Sequence, residues 1–178
     1  IYLFFHVVQL WFAITYFIRP ILFKEDLNGK NMEQGVSVIV CAWDEEENLK
    51  ELIPQLLAQN YKNFEVILVD DRSNDNTYLH FYEDSKTNPQ FQLLRIDASP
   101  PGMDSKKFAL TMGIKAAKKD LVLLTDADCR PNSKDWIKTM QREMDPGKDM
   151  VLGLSLYNKT NSKLLNWFIR FETVFTAI

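Results

Sequence analysis

Two aspartates separated by one alanine, Asp126 and Asp128, end the apolar run LVLLT. In extended backbone, side chains two residues apart point to the same side, so both carboxylates can face one ligand. Two converging anions repel each other unless a positive charge lies between them, and a hard divalent cation bound by oxygen supplies that charge. The triplet therefore predicts an Mg²⁺ or Mn²⁺ site that can also bridge a diphosphate. A solvated acidic turn is the alternative, because such triplets are common.

A second acidic pair, Asp70-Asp71, closes the apolar run FEVILV and is followed by Arg72. Adjacent acids that close a buried strand are costly unless they are bonded or useful. One side chain can turn toward a ligand and accept a hydrogen bond from an N–H group, such as a nucleobase imide, while the other caps the next turn. Ordinary turn chemistry of Asp, Asn and Ser residues explains the pattern equally well.

Two further groups have side chains suited to a nucleotide. The segment Ala42-Trp43-Asp44-Glu45 sets an aromatic ring beside short polar groups, which suits contact with a flat base. Lys106-Lys107 begins a predicted helix, where a cation and free N–H groups favour phosphate, although a solvated basic pair is the alternative. Cys41 and Cys129 are too few for a disulfide framework and lack metal-site spacing, so we interpret them as small buried residues.

The elements that must position these groups alternate between strands and helices. Apolar runs predict strands at 36–41, 64–70, 91–96, 121–128 and 149–156, and helical periodicity predicts helices at 45–59, 75–86, 105–118 and 134–144. This alternation predicts an α/β fold, a mostly parallel Rossmann-like sheet flanked by helices. In such sheets ligands bind beyond the carboxyl ends of the strands, which is where the acidic clusters fall.

The first residues have a different character. Ile1 to Ile18 contains no charged residue, and eighteen residues at helical rise reach about 27 Å, close to the roughly 30 Å hydrocarbon core. We therefore expect a transmembrane helix at 1–23 and a polar linker at 24–35; a buried core helix is the alternative. Arg19 and Lys24 follow the run and favour a cytoplasmic domain at the inner or plasma membrane.

Composition excludes several classes of protein. The chain of 178 residues has a formal net charge of −3 and no basic block, so nucleic acid is not an expected partner. With 46% hydrophobic and 25% charged residues, the composition is that of a globular protein. The sequence contains no G-x-G-x-x-G, P-loop, H-E-x-x-H or G-x-S-x-G motif, so the chemistry those motifs support is not predicted.

Four segments, in this order, resemble motifs of the family 2 glycosyltransferases with a GT-A fold. VSVIVCAWDEEENL is similar to the family's V-S-V-I-[VI]-P-[AT]-[YF]-N-E-E, FEVILVDDRSNDNT to V-D-D-G-S-x-D-x-T, SKKFALTMGIKAA to G-K-x-x-A-L-N-x-G-[IL], and LVLLTDADCRP to the D-x-D strand. The sequence departs from the family where Cys41 replaces Pro, Asp44 replaces Asn and Arg72 replaces Gly. The tail, residues 157–178, resembles the amphipathic interfacial segment of membrane-bound members.

The resemblance implies a nucleotide-sugar site within residues 36–156, an incomplete GT-A domain. It places Cys41, Ala42, Trp43 and Glu45 beside the nucleotide, Asp71 at the base, Lys106 at phosphate, Asp126 at the diphosphate, and Asp126 with Asp128 at a divalent metal, Mg²⁺ or Mn²⁺. The implied reaction is inverting transfer from a UDP-hexose or UDP-N-acetylhexosamine to a glycan or lipid acceptor at the membrane, as in polysaccharide biosynthesis. The catalytic base is expected beyond Ile178.

Two alternatives belong to other classes. A receiver-like phospho-acceptor domain also uses acids at strand ends with Mg²⁺ and a lysine, but it places its acid pair after the first strand. Here VSVIVC ends in Cys-Ala-Trp, and the pair follows the second strand. A catalytically inactive binding module on a membrane anchor is the other alternative, and the retained Lys106, Asp126 and Asp128 argue against it.

Overall fold

The computed structural model describes residues 2–22, 34–144, 147–153 and 161–176. They fall into two units. One unit, Lys30–Asp149, holds the sheet, and the other joins Ile1–Gly29 with Met150–Ile178. The elements in chain order are α1 (Tyr2–Leu22), β1 (Val36–Ala42), α2 (Glu46–Leu57), β2 (Phe64–Asp71), α3 (Thr77–Thr87), β3 (Phe91–Ile96), α4 (Ser105–Ala116), β4 (Leu121–Asp126), α5 (Trp136–Glu143) and α6 (Lys163–Thr176).

The four strands form one sheet in the order β3-β2-β1-β4, and every described pairing is parallel. The chain proceeds from β1 outward to β3 and then crosses back to place β4 on the other side of β1. The strand order therefore reverses between β1 and β4, and this is the point at which open α/β sheets bind ligands beyond their carboxyl ends. Cys41 lies opposite Asp126 in that register. The predicted parallel α/β fold is confirmed.

Helices cover both faces of the central strands, which explains why β1 and β2 are continuous apolar runs. One buried cluster joins Val38 and Leu68 to Leu52 of α2, and the other joins Ile39 to Ala109 of α4. All eight residues of β2 are buried. Helix α4 packs very close to the sheet, because a Cβ added at Gly113 would lie 2.6 Å from Cγ2 of Ile39.

One predicted strand boundary and one predicted strand are wrong. β4 ends at Asp126 rather than 128, because the backbone turns there and the N–H of Cys129 donates to the carbonyl of Asp126 at 3.2 Å. The strand predicted at 149–156 is not formed over residues 149–153, and residues 154–156 lie outside the described part. An apolar run becomes a strand only with a hydrogen-bonding neighbour, and Met150 and Leu152 are instead 70% and 82% exposed.

The N-terminal apolar run is helical, as α1, and the tail contains α6. Among the residues that the structure describes, no helix is both apolar enough and long enough to cross a membrane. The transmembrane prediction for residues 1–23 is therefore unsupported. Residues 24–33 of the predicted linker, and residues 157–160 and 177–178 of the predicted interfacial segment, lie outside the described residues.

Candidate functional site

A cavity of about 830 Å³ opens at the carboxyl ends of β1, β2 and β4, beside the first turn of α4. Its volume suits a small-molecule ligand. The lining includes the eight residues predicted from the sequence, which are Cys41, Ala42, Trp43, Glu45, Asp71, Lys106, Asp126 and Asp128. The fold thus brings together residues that lie up to 87 positions apart in the sequence, from Cys41 to Asp128. Their individual roles stay predictions.

The ion pair between Lys106 and Asp126 is the main charged contact in this cavity. Nζ of Lys106 donates to Oδ1 of Asp126 at 2.9 Å, and the two side chains are 73% and 62% exposed. The hydrogen bond to Asp126 raises the pKa of Lys106 above its ordinary value, with the charge of the same carboxylate as the second cause. The ammonium group is therefore protonated throughout the physiological pH range, as a phosphate-binding group must be.

The thiol of Cys41 is half-buried next to this pair. Burial raises its pKa to about 11, the positive charge of Lys106 opposes that shift, and the charges of Asp71 and Asp126 add to it. Nucleophilic attack and metal binding both require the thiolate. Cys41 is therefore a neutral lining residue, and it is half-buried rather than buried as the sequence predicted.

The two aspartates at the end of β2 differ in position: Asp70 is buried beside the turn after the strand, and Asp71 lines the cavity. Asp70 is fully buried, and its Oδ1 accepts a hydrogen bond from the N–H of Ser73 at 3.1 Å, which fixes the turn after the strand. Asp71 points to the other face, as alternation along a strand requires, and lines the cavity. Asp71 is thus the member of the pair that a ligand can reach.

Arg72, which replaces the glycine common in the resembling motif, has a backbone conformation that favours glycine. Its φ is +63°, in the left-handed region, which costs a residue with a Cβ roughly 1–2 kcal/mol and costs glycine nothing. The side chain donates from Nε to Oδ1 of Asp71 at 3.0 Å, and from Nη1 to Ser99 Oγ at 3.4 Å. Nη2 also donates to Ser105 Oγ. Contacts with the end of β2 and with the segment that runs from β3 into α4 therefore hold the strained residue in place.

Asp44 connects the loops that follow β1 and β2. Its φ is +54°, a conformation that Asp tolerates better than most residues. Oδ1 of Asp44 accepts from the N–H groups of Asn74 at 2.6 Å and Asp75 at 3.3 Å, and the N–H of Asp44 donates to Ser73 Oγ at 2.9 Å. The loop that carries Trp43 and the loop that follows Asp71 are therefore fixed to each other.

Arg130, which the sequence did not single out, holds the turn that contains the second aspartate of the triplet. Its Nη1 donates to the carbonyls of Ala127 at 3.0 Å and Cys129 at 2.8 Å. The same guanidinium donates from Nη2 to Asn48 Oδ1 at 3.0 Å and to Glu51 Oε2 at 3.1 Å. Helix α2 thereby fixes the turn, and no short-range pattern could have revealed it because the partners are about 80 positions away.

The start of α4 supplies a second feature that favours anions. Asp104 caps the helix by accepting from the N–H of Lys107 at 3.0 Å, and the next residues, Ser105 and Lys106, line the cavity. The amino end of a helix carries partial positive charge and N–H groups without helical partners. The cavity therefore combines a helix amino terminus with an ammonium group, and this combination suits phosphate.

The donor atoms expected to hold a metal lie together. Carboxylate oxygens of Asp126 and Asp128 and the Sγ of Cys129 are all within 4.8 Å of one another. Mg²⁺ and Mn²⁺ prefer oxygen ligands, so the two carboxylates fit such an ion whereas the soft sulfur is a poor ligand for it. Lys106 contacts Oδ1 of Asp126, which leaves Oδ2 for a cation.

Comparison with known proteins places the chain among glycosyltransferases. It is 32% identical over 117 residues to the poly-beta-1,6-N-acetyl-D-glucosamine synthase of Staphylococcus aureus, and 30% identical over 116 residues to that of Staphylococcus epidermidis. Each match covers 64% of this chain and 27% of the relative, so the chain spans about a quarter of the length of the curated relatives it matches.

Solved structures share the fold. A mannosyltransferase from Pyrobaculum calidifontis, in complex with GDP-Man and Mn²⁺, aligns with a TM-score of 0.62 at 22% identity, over 79% of this chain and 40% of that one. S. aureus TarS 1-349 aligns with a TM-score of 0.52 at 25% identity, over 74% of this chain and 42% of the other. The family model described as glycosyl transferase family 2 matches residues 37–177, nearly the whole chain outside α1 and the segment after it. The protein therefore belongs to glycosyl transferase family 2.

Proposed function

We propose that this protein binds a UDP-sugar, UDP-N-acetylglucosamine or a UDP-hexose, in the cavity at the carboxyl ends of the strands. The sugar is transferred to a glycan or lipid acceptor with inversion and with the help of a divalent metal. The observation that carries the proposal is the convergence of Lys106, Asp71, Asp126 and Asp128 on one cavity. The curated relatives named above synthesise a polymer of N-acetylglucosamine by name, which makes that sugar the first donor to test.

At the phosphate end, Lys106 and the amino terminus of α4 carry the positive charge that a diphosphate needs. The Lys106 ammonium bonds to Asp126 without a ligand, and a diphosphate competes with that carboxylate for its N–H groups. When the bond between the anomeric carbon and the diphosphate breaks, the leaving oxygen takes the electron pair. Lys106 stabilises that negative charge more strongly than the charge of the intact donor.

A divalent metal, when bound, neutralises the diphosphate as a Lewis acid and orients it. Asp126 and Asp128 would hold it, since their oxygens lie within 4.8 Å of each other and of Cys129 Sγ. Arg130 fixes the turn that carries Asp128, which keeps that carboxylate on the cavity side. The acceptor hydroxyl attacks the opposite face of the anomeric carbon and gives its proton to a base, a role assigned to no described residue.

At the base end, Asp71 and Trp43 line the cavity together. Asp71 accepts a hydrogen bond from the base, and Trp43, which is 63% exposed, offers a free ring against which the base packs. The tie between Asp44 and the loop after β2 holds these two residues at a fixed separation.

The unit that contains α1 and α6 suggests where the acceptor binds. Large apolar side chains of α1, including Phe4, Leu10 and Trp11, are more than 60% exposed, and Leu164 and Trp167 of α6 are 78% and 65% exposed. An exposed surface of this kind needs an apolar environment, and aromatic residues favour the membrane interface. We place this unit against the cytoplasmic face of the membrane. Co-sedimentation with phospholipid vesicles tests it, and a chain that stays in the supernatant contradicts it.

The donor site is tested by calorimetric titration of the full chain with UDP-N-acetylglucosamine, with and without Mn²⁺. We expect measurable binding that Mn²⁺ strengthens, and equal, negligible heats in both titrations would contradict the proposal. A parallel assay of UDP release with added acceptor glycans separates an enzyme from an inactive binding module. The receiver-like alternative finds no support, because the acid pair follows β2 and not β1.

A further inference from the structure

We propose that Arg72 selects the nucleobase: by occupying one oxygen of Asp71 it favours uracil, which has one imide N–H, over guanine, which has two adjacent N–H donors. The inference rests on the proposed donor site and adds to it the residue that chooses between donors. The fold alone does not determine which nucleobase is bound, because a structure with the same fold binds GDP-Man.

The geometry of the Asp71 carboxylate is the first step. Nε of Arg72 donates to Oδ1 of Asp71 at 3.0 Å, and Nη2 of Arg72 forms an ion pair with the same oxygen at 2.9 Å. A carboxylate oxygen has about two lone-pair positions, and a ligand must compete with both of these nitrogens for them on Oδ1. Within the described residues, both contacts of this carboxylate are made by Oδ1. A ligand in the cavity therefore meets Oδ2 alone.

The guanidinium group is fixed from its other side as well. Nη1 donates to Ser99 Oγ at 3.4 Å and Nη2 donates to Ser105 Oγ, which opens α4. Arg72 can leave Asp71 only by breaking contacts with two serines of the segment that runs from β3 into α4. Its φ of +63° is a strained conformation that glycine would relieve, and strain of this kind is retained where the surrounding contacts outweigh it. The side chain is therefore a fixed part of the cavity wall.

The acceptor that remains matches one side of uracil. Nε of Arg72 donates to Asp71, Nη1 to Ser99 and Nη2 to Ser105, so the guanidinium is held by three hydrogen bonds. Oδ2 of Asp71 is the carboxylate oxygen left to accept from N3–H of uracil. Guanine presents N1–H and the exocyclic amino group side by side, and a carboxylate with one oxygen available satisfies only one of them. The unpaired donor disfavours guanine.

The test compares UDP and GDP as ligands of the full chain, by calorimetry in the presence of Mn²⁺. For the wild type we expect UDP to bind about tenfold more tightly than GDP or better, the size of one unmade hydrogen bond. The variant Arg72→Gly releases Oδ1, so the preference for UDP should shrink about tenfold. Glycine suits the backbone at this position, so the variant is expected to fold, which a circular dichroism melt checks.

Two further variants separate base selection from general effects. Ser99→Ala loosens the guanidinium without touching Asp71 and should shift the ratio of the two dissociation constants only partly. Arg130→Gly removes a guanidinium of a different turn and should leave the ratio unchanged, even if both affinities fall. An unchanged ratio in Arg72→Gly, or a wild type that prefers GDP, overturns the role of Arg72 and leaves the donor site standing. Failure of the wild type to bind either nucleotide overturns the donor site and the base selection together.

Discussion

Nζ of Lys106 lies 2.9 Å from Oδ1 of Asp126, and this contact links the first turn of α4 to the last residue of β4. The same carboxylate is the one expected to hold a metal through its other oxygen. The ammonium group and the carboxylates proposed to hold a metal therefore lie on one short stretch of the cavity wall. In the proposed donor complex, Lys106 exchanges a carboxylate partner for a phosphate, so the cation is already in place before the diphosphate enters.

Lys106→Ala should weaken binding of UDP-N-acetylglucosamine by about tenfold or more, because a charged hydrogen bond to phosphate is lost. The matched control is Lys107→Ala, since Lys107 follows in the same helical turn and does not line the cavity. Calorimetry measures both. The raised pKa of Lys106 keeps the ammonium protonated, so wild-type affinity should not fall through loss of this charge between pH 7 and about 9.5. Equal losses in the two variants would contradict a specific role.

Asp128→Asn should abolish the strengthening of UDP binding by Mn²⁺ and leave binding without metal nearly unchanged, because the amide is a neutral and weaker metal ligand. Asp120→Asn serves as the control, since Asp120 is exposed in the loop between α4 and β4. Titration of free Mn²⁺, followed by electron paramagnetic resonance, provides a reading that needs no nucleotide. Retained metal dependence in Asp128→Asn would show that the ion is held elsewhere.

Cys41 should react slowly with iodoacetamide. With a pKa of about 11, the thiol is roughly one-thousandth ionised at pH 8, and the rate should rise about tenfold per pH unit up to that value. A Cys129→Ser variant isolates the reaction of Cys41, and mass spectrometry follows it. UDP should slow the reaction because Cys41 lines the cavity. A rate that levels off near pH 8 or 9 would show that the thiol is less buried than described.

Gly113→Ala should destabilise the protein, although alanine is the better helix former by about 1 kcal/mol. The new Cβ would lie 2.6 Å from Ile39 Cγ2 and 3.1 Å from Val69 Cγ2, in a core that cannot yield freely. Overpacking of this kind costs about 1–3 kcal/mol. Urea unfolding measures the change, and Thr111→Ala, exposed on the same helix, should shift stability by less than about 0.5 kcal/mol. A gain in stability would contradict the close packing of α4.

The sequence predicts the sheet well, and the reason is physical. Strands covered on both faces must be apolar along their length, which explains the runs of β1 and β2. The starts of all four described strands, β1 to β4, match the beginnings of the apolar runs at residues 36, 64, 91 and 121. Convergence of the acidic clusters follows from parallel topology alone. The strand prediction was wrong at 149–153 because a strand also needs a neighbouring strand for its backbone hydrogen bonds, and an apolar run does not encode one.

The supporting residues of the site escaped prediction because they act across long sequence separations. Arg72 meets Ser99 and Ser105, and Arg130 meets Asn48 and Glu51. Local propensity carries no information on such contacts, and in Arg72 it points the other way, since the backbone conformation favours glycine. The sequence reveals which strand ends carry the candidate site residues. The packing of the loops decides which other side chains hold those residues in position.

The hydrogen bonds of Asp44 to Ser73, Asn74 and Asp75 couple the loops after β1 and β2, so we expect the two loops to evolve together. A change at position 44 alters the support of both Trp43 and Asp71 at once. Exchanges of these two loops between relatives should therefore succeed when both loops are moved together and fail when either is moved alone. In a lineage of related sequences, position 44 and positions 73 to 75 are expected to change in concert.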